Sequence, residues 1–480
     1  MSTFGGLNTA YTGLVAARQG LDVVGQNIAN ANTDGYTRQR ISTSALGATA
    51  STGVFTQGAR VGEGVALNGI DRLASAQLDA RVRATAATAG YTAVRANALA
   101  SVEDSLNEPG PDGISATLDA FWASWQALGN GTDTTAPSAM LLDTAAELVT
   151  QISDGYQAVS NQWSAARNDL KNMVSELNGA ATEVAALNVQ IRQSIATGGT
   201  ANELLDQRSA LTTTIAALTG ASVTEQVDGT VNVYVGGNPL VSGGTTHHVS
   251  INGASVMRDD EPVSLVWDDS THTSVTVESG EIAGTLSLLG QVNGGAGGAL
   301  AEAAASYDAF ASDLAAKVNA IYATGRTPAG ATGLAFFEVD SVKPAAQGLS
   351  IAPSTSAGLA VRADGAGAYD GSIADAIAQL GAGSAVNADG TAIVSPSTAW
   401  SDFVIKFGVL TKTELQSAAL ASATASGASN QQLANSSVDL DEENVNLLMF
   451  QHAYQGAARM MTAVDQMLDT LINRTGLVGR

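Results

Sequence analysis

The side chains best suited to catalysis in this 480-residue chain are few and scattered. There are four histidines, His247, His248, His272 and His452. A zinc site needs three or four convergent ligands, whereas adjacent histidines on a strand point to opposite faces. His452 belongs to a distant C-terminal helix, so the pattern predicts surface histidines and no metal centre. Asp441, Glu442 and Glu443 form an acidic cluster of the kind used in general acid–base chemistry. They also open a helical pattern, where carboxylates favour the helix dipole, and that position accounts for them without catalysis. Gly236-Gly237 lacks the Lys and Ser/Thr of a phosphate loop, and no Gly-x-Ser-x-Gly elbow occurs. The absence of cysteine removes thiol catalysis, thiolate metal sites and disulfides. The expectation is a non-enzyme with no catalytic residue, no cofactor and no metal.

What the side chains are placed to do is to associate. Leu7, Ala10, Leu14, Ala17, Leu21, Val24, Ile28 and Ala31 alternate spacings of three and four, the a/d rhythm of a heptad helix. Leu447, Phe450, Tyr454, Ala457, Met461, Val464, Leu468 and Leu471 repeat it at the other end. Two such runs at opposite termini predict helices that pack on each other. Their backs are unusual. From Leu7 to Ala31 the only charges are Arg18 and Asp22, and from Asn444 to Leu471 they are Arg459, Asp465 and Asp469. Helix backs that face water carry Lys and Glu, so uncharged ones predict contact with further subunits.

Composition bounds the rest. The length exceeds what one core supports and favours about three or four domains. Net charge is -23, and the 22 Lys and Arg are dispersed, which argues against nucleic-acid or anionic-membrane binding. The first basic residue is Arg18 and no long apolar run occurs, so neither a Sec-type signal peptide nor a membrane span is expected.

The chain reads as nested. After the first helix, Asn32-Thr33-Asp34-Gly35 is a turn by composition, followed by extended segments over 36–69. Helix resumes over 71–107 and is stopped by Glu108-Pro109-Gly110-Pro111. Short helices around Phe121, Trp122 and Trp125, a long helix over 138–197 and another over 201–218 make a bundle. At Ala221 the period switches to alternation, as in Val231-Asn232-Val233-Tyr234-Val235, predicting an outward β-rich insert that is dispensable for the bundle. Helix returns over 298–323 and 400–434, the intervening stretch is weakly patterned with a short helix at 372–380, and Asp439 with Glu442 forms a capping box for the last helix. The expected class is an α+β multidomain protein. Its terminal coiled-coil domain is 1–35 with 437–480, its helical bundle is 36–220, 284–323 and 400–436, its β-rich insert is 221–283, and 324–399 is mixed.

The segment Asn27-Ile28-Ala29-Asn30-Ala31-Asn32-Thr33-Asp34-Gly35-Tyr36-Thr37-Arg38-Gln39 resembles the signature of flagellar rod, hook and hook-associated proteins. Its Tyr-Thr-Arg-Gln ending is similar to that of the members that join hook to filament. So are Asn202-Glu203-Leu204-Leu205-Asp206-Gln207-Arg208, the hairpin region 231–243, and Val438-Asp439-Leu440-Asp441-Glu442-Glu443 with Asn446-Leu447 and Phe450-Gln451. The resemblance implies a structural subunit of the bacterial flagellum. Such a subunit is secreted unfolded by type III export to the cell exterior, polymerises as a junction ring between hook and filament, and supports filament assembly. The partners implied are copies of itself, hook protein, a second junction protein, an export chaperone and the export apparatus. Adding the signature turn to the seam, the implied assembly interface is Leu7, Leu14, Leu21, Ile28, Asn30, Thr33, Gly35, Tyr36, Leu447, Phe450, Tyr454, Met461, Val464, Leu468 and Leu471. A different axial subunit, such as flagellin or the second junction protein, and an extracellular acidic binding module are the alternatives.

Overall fold

In the computed structural model, which describes residues 3–47, 62–130, 135–258, 261–385 and 392–473, the two ends of the chain are long helices lying antiparallel on each other. The first, α1 (Thr3–Ala29), is followed by a hairpin of β1 (Gln39–Leu46) and β2 (Gly64–Arg72), paired from Gln39↔Arg72 to Leu46↔Gly64 with a bulge after Ser42. The hairpin lies along α1: Asn8 Nδ2 donates to Glu63 O at 3.3 Å, and the Val65 amide to Thr12 Oγ1 at 3.3 Å. The part of the expected extended segment at 48–61 lies outside the described residues.

The body begins with α2 (Ala76–Leu106), capped by Ser75 and ended at Asn107 in a left-handed conformation just before Pro109. The Phe121, Trp122 and Trp125 region forms one helix, α3 (Ile114–Asn130), and not several short ones. Next comes α4 (Thr135–Ala196), 62 residues and so about 93 Å long. Its buried residues, from Leu141, Ala145, Leu148 and Ile152 to Leu177, Ala181 and Val184, recur by threes and fours, an apolar stripe along nearly the whole helix. Helix α5 (Asn202–Thr219) ends at Gly220, whose φ of +68° a residue with a Cβ rarely adopts.

The alternating region supplies an antiparallel sheet of β3 (Ser222–Glu225), β4 (Val231–Val235), β5 (Asn238–Ser242) and β6 (Thr245–Thr246). A second sheet contains β7 (Val249–Asn252), β8 (Ser264–Trp267) and β9 (Ser274–Val275). The insert expected to be dispensable for the bundle shares a core with it. Val231, Val233, Leu240, Val249 and Leu265 belong to the same continuous core as Leu170, Leu177 and Val184 of α4. Asparagines of α4 also splice the two. Asn188 donates to the carbonyls of Val231 and Gly243 and accepts from the Val231 amide at 2.8–3.0 Å, and Asn178 brackets Val249 in the same manner. A period change marks where the chain alters conformation; it does not mark where a core ends.

The chain returns through α6 (Gly280–Leu289) and α7 (Ala299–Tyr322). The weakly patterned stretch then forms two-stranded pairs, β10 (Gly325–Arg326) with a later β13 (Arg362–Ala363), and β11 (Phe337–Val339) with β12 (Leu349–Ile351), with α8 (Ala345–Gly348) between the latter two. Strands of two or three residues leave no period to read. They are anchored by Phe336, fully buried against Phe121, Trp125 and Tyr322 with ring centroids 5.0–6.1 Å apart, and by Phe337, buried against Phe121 at 5.9 Å. Helix α9 (Ser372–Gly381) and α10 (Pro396–Ser436) follow, the latter antiparallel to α2 through Arg95–Glu414 at 2.7 Å and Arg81 to Gln431 at 2.8 Å. A three-residue link leads to α11 (Leu440–Asn473).

Candidate assembly site: a polar clasp between the termini and the body

Helix α11 rests mainly on α1, and within it only Glu443 and Val464 are buried. A carboxylate 1% exposed needs partners, because an unpaired buried charge is very costly. Glu443 has them. Its Oε1 accepts from Arg38 Nε at 2.8 Å and meets Nη2 at 2.7 Å, and its Oε2 accepts from Asn27 Nδ2 at 3.2 Å. Arg38 reaches further, donating from Nη1 to Glu442 Oε2 at 2.6 Å. Burial works against its charge, but the Glu442 hydrogen bond and the Glu443 carboxylate together hold the guanidinium above its ordinary value.

Asn27, equally buried, organises the turn after α1. Its Oδ1 accepts from the Gln39 amide at 3.0 Å and from Tyr36 OH at 2.9 Å, while Nδ2 also donates to Gln39 O at 2.9 Å. The turn itself needs Gly35 at φ +76°, and is closed by the Tyr36 amide on Thr33 O and by Thr33 Oγ1 on Asn30 Oδ1. Burial, then the charges of Glu203, Asp206 and Glu443, push the Tyr36 phenol up to about 12.

From this turn the network crosses to the body. The Thr37 amide donates to Asp206 Oδ2 at 3.1 Å, and Arg72 Nη2 meets Asp206 Oδ1 at 2.5 Å. Asn202 donates to Gln39 Oε1 and to Ile70 O, both at 3.1 Å, and Gln39 Nε2 donates to Glu203 Oε1 at 3.3 Å. The Arg38 amide donates to Ser436 O at 2.8 Å, tying the end of α10 to the same place. Arg208, two residues beyond Asp206, turns the other way, donating to Asn188 Oδ1 and Gly229 O. Burial lowers its pKa to about 10.

The capping box is corrected in one half. Asp439 does accept from the amides of Asp441 and Glu442, at 2.9 and 3.3 Å. The Glu442 side chain, which would complete the box, is taken by Arg38 instead, because a charge-assisted bond is stronger than one to a backbone amide. The histidines do not converge. His247 lies edge-on to Trp267, His248 contacts Thr182, and among the described residues no group of three or more His, Cys, Asp or Glu could hold a metal.

The line of closest approach on α1 lies one position from the leucines. The ideal Cβ of Gly20 would sit 2.5 Å from the Phe450 ring and that of Gly6 3.9 Å from Val464, and Asn27 meets Glu443. Gly6, Ala10, Gly13, Ala17, Gly20, Val24 and Asn27 keep the same three–four rhythm with smaller side chains. Leu7, Leu14, Leu21 and Ile28 flank this line, half-buried; on α11, Leu447, Phe450, Met461 and Leu468 are half-buried, Val464 is buried, and Tyr454 and Leu471 are exposed. Asn27, Thr37, Arg38, Gln39, Arg72, Asn202, Asp206 and Glu443 were not singled out as site residues from the sequence. The available signal was a polar residue on the rhythm of α1 for Asn27 and at a helix start for Asn202 and Glu443.

Three family models match the chain: the helical domain of flagellar hook-associated protein FlgK over 99–337, the flagella basal body rod protein over 7–37, and the flagellar basal body rod FlgEFG protein C-terminal region over 429–474. Flagellar hook-associated protein 1 of Bacillus subtilis (strain 168) is 29% identical over 510 aligned positions covering 100% of both chains. The chain belongs to the flagellar hook-associated protein 1 family. The Escherichia coli (strain K12) protein of that family is 24% identical, covering 97% of this chain and 99% of its own. A solved structure, the flagellar hook junction protein FlgK from Burkholderia pseudomallei, superposes with a TM-score of 0.62 at 14% identity over 74% of this chain and 99% of its own, which establishes a shared fold. Against this family background the clasp is notable for its sources. The two rod-type matches cover Asn27, Tyr36, Thr37 and Glu443, the match to the helical domain covers Asn202 and Asp206, and Arg38, Gln39 and Arg72 lie between the matched segments.

Proposed function

We propose that this chain is a non-enzymatic structural subunit that forms the junction ring between hook and filament of the bacterial flagellum and supports filament assembly. The observation that carries the reading is the clasp. Residues from both ends of the sequence and from the body meet in one buried polar network, which holds α1 and α11 together and ties them to the body. That unit presents Phe4, Tyr11, Val445, Leu448, Met449, Met460, Met467, Leu471 and Ile472 to solvent, more apolar surface than an isolated subunit should expose. Copies of the same chain would cover it, with the seam residues Leu7, Leu14, Leu21, Ile28, Leu447, Phe450, Tyr454, Met461, Val464, Leu468 and Leu471 and the turn residues Asn30, Thr33, Gly35 and Tyr36 forming the interface.

In this reading 1–35 with 437–480 is the terminal coiled-coil domain, and the bundle and β-rich segments lie outside it. Hook protein and a second junction protein are its neighbours, and an export chaperone and the type III apparatus deliver it to the cell exterior. No described helix is long and apolar enough to cross a membrane. Immunogold electron microscopy of isolated flagella with antibody to this chain is expected to mark a single band at the hook–filament boundary. Label along the whole filament or hook would sink the proposal in favour of another axial role.

A further inference from the structure

We infer that Phe450 and Glu443, one heptad apart on α11, act as a two-point gauge that fixes the register of the terminal helix pair, each forbidding a slip in one direction. Three contacts define the register: Asn27 with Glu443, Gly20 with Phe450, and Gly6 with Val464. Steps of seven and then fourteen residues down α1 answer equal steps up α11, as an antiparallel heptad pair requires. A heptad repeat by itself does not choose among registers, because a shift of seven residues, about 10.5 Å, brings equivalent positions together again. Here most of the contact line is small: Gly6, Gly13 and Gly20 on one helix and Ala457 on the other.

Take the two shifts in turn. Moving α11 toward the C-terminal end of α1 by a heptad sets the Phe450 ring against Asn27, where it would displace the hydrogen bonds to Gln39 and Tyr36. Moving it the other way sets Phe450 on Gly13, which is sterically open, with no atom within 4 Å of an added Cβ. In that direction the ring again meets a glycine. What resists is Glu443, which leaves both Asn27 and Arg38 and would be a buried carboxylate without partners. A buried polar group that selects one pairing among several is a well-attested device in coiled coils.

The chain contains no cysteine, so register is readable by introduced pairs. In the purified full-length chain, Gly6→Cys with Val464→Cys reports the observed register and Gly6→Cys with Ala457→Cys the slipped one, with intramolecular cross-links scored under dilute oxidation. The parent clasp is expected to give the first pair alone. With Asn27→Leu and Glu443→Leu added, the ratio of the second pair to the first should rise about tenfold or more. Persistence of the first pair alone would show that the short links flanking the helices set the register, and would overturn the gauge. Equal yields of the two pairs in the parent, or neither, would also overturn it. Loss of both on adding the substitutions would mean that the clasp holds the helices together without choosing between registers.

Discussion

At the scale of single residues the account turns on Glu443, the one buried charge of α11. Glu443→Ala leaves Arg38 with Glu442 alone and Asn27 without one of its acceptors, and is expected to weaken docking of the terminal pair by about 3 kcal/mol. Glu443→Gln, which can still accept from Asn27, should cost about half as much. Amide hydrogen exchange along 440–473 measures both; unchanged protection in the alanine variant would contradict the clasp. Tyr36 adds a pH dependence. Its folded pKa of about 12 lies above the ordinary 10.0, so the folded state favours the neutral phenol. The stabilisation is therefore complete below pH 10 and is lost as pH rises through about 12. Protection of the terminal helices should fall over that window, and Tyr36→Phe should flatten the fall while lowering protection at neutral pH through the lost bond to Asn27. An identical alkaline profile in the phenylalanine variant would rule out Tyr36 as its source.

At the scale of elements, three glycines at one heptad position make unequal demands. Gly20→Ala drives a methyl into the Phe450 ring and should destabilise the helix pair by about 1–3 kcal/mol, whereas Gly13→Ala meets open space and should be neutral or favourable through helix propensity. Thermal melts that rank them in the opposite order would refute the observed contact line. The β-rich segment supplies a second test. Asn188→Ala would strand the Val231 amide, two carbonyls and Arg208 in a buried site, so the melt of the body should lose about 3 kcal/mol, which a dispensable insert would not show.

These elements also show what a sequence can carry. The helices were legible because threes and fours persist over many turns, as in the stripe of α4, and β4 because Val231, Val233 and Val235 alternate with polar or half-buried residues. The contact line on α1 was not, because hydropathy points to Leu7, Leu14 and Leu21 while packing distance rewards Gly6 and Gly20. The clasp was half legible. Its segments stood out individually as family landmarks, but nothing in one dimension places Asp206 beside Thr37 or Glu443 beside Arg38. Arg72, arriving from the far strand of the hairpin, carried no signal at all.

At the scale of the whole molecule, a chain with net charge -23 keeps apolar faces open on its terminal unit and on α10, with Ile405, Val409 and Leu420 exposed on α10. Those faces fit the proposed assembly, in which copies of the chain cover one another. The decisive measurement is electron microscopy of cells of a flagellated strain whose own copy of this gene is deleted, with and without the gene restored. The account predicts hooks that carry no filament in the deletion and full filaments on restoration. Normal filaments in the deletion strain would contradict it.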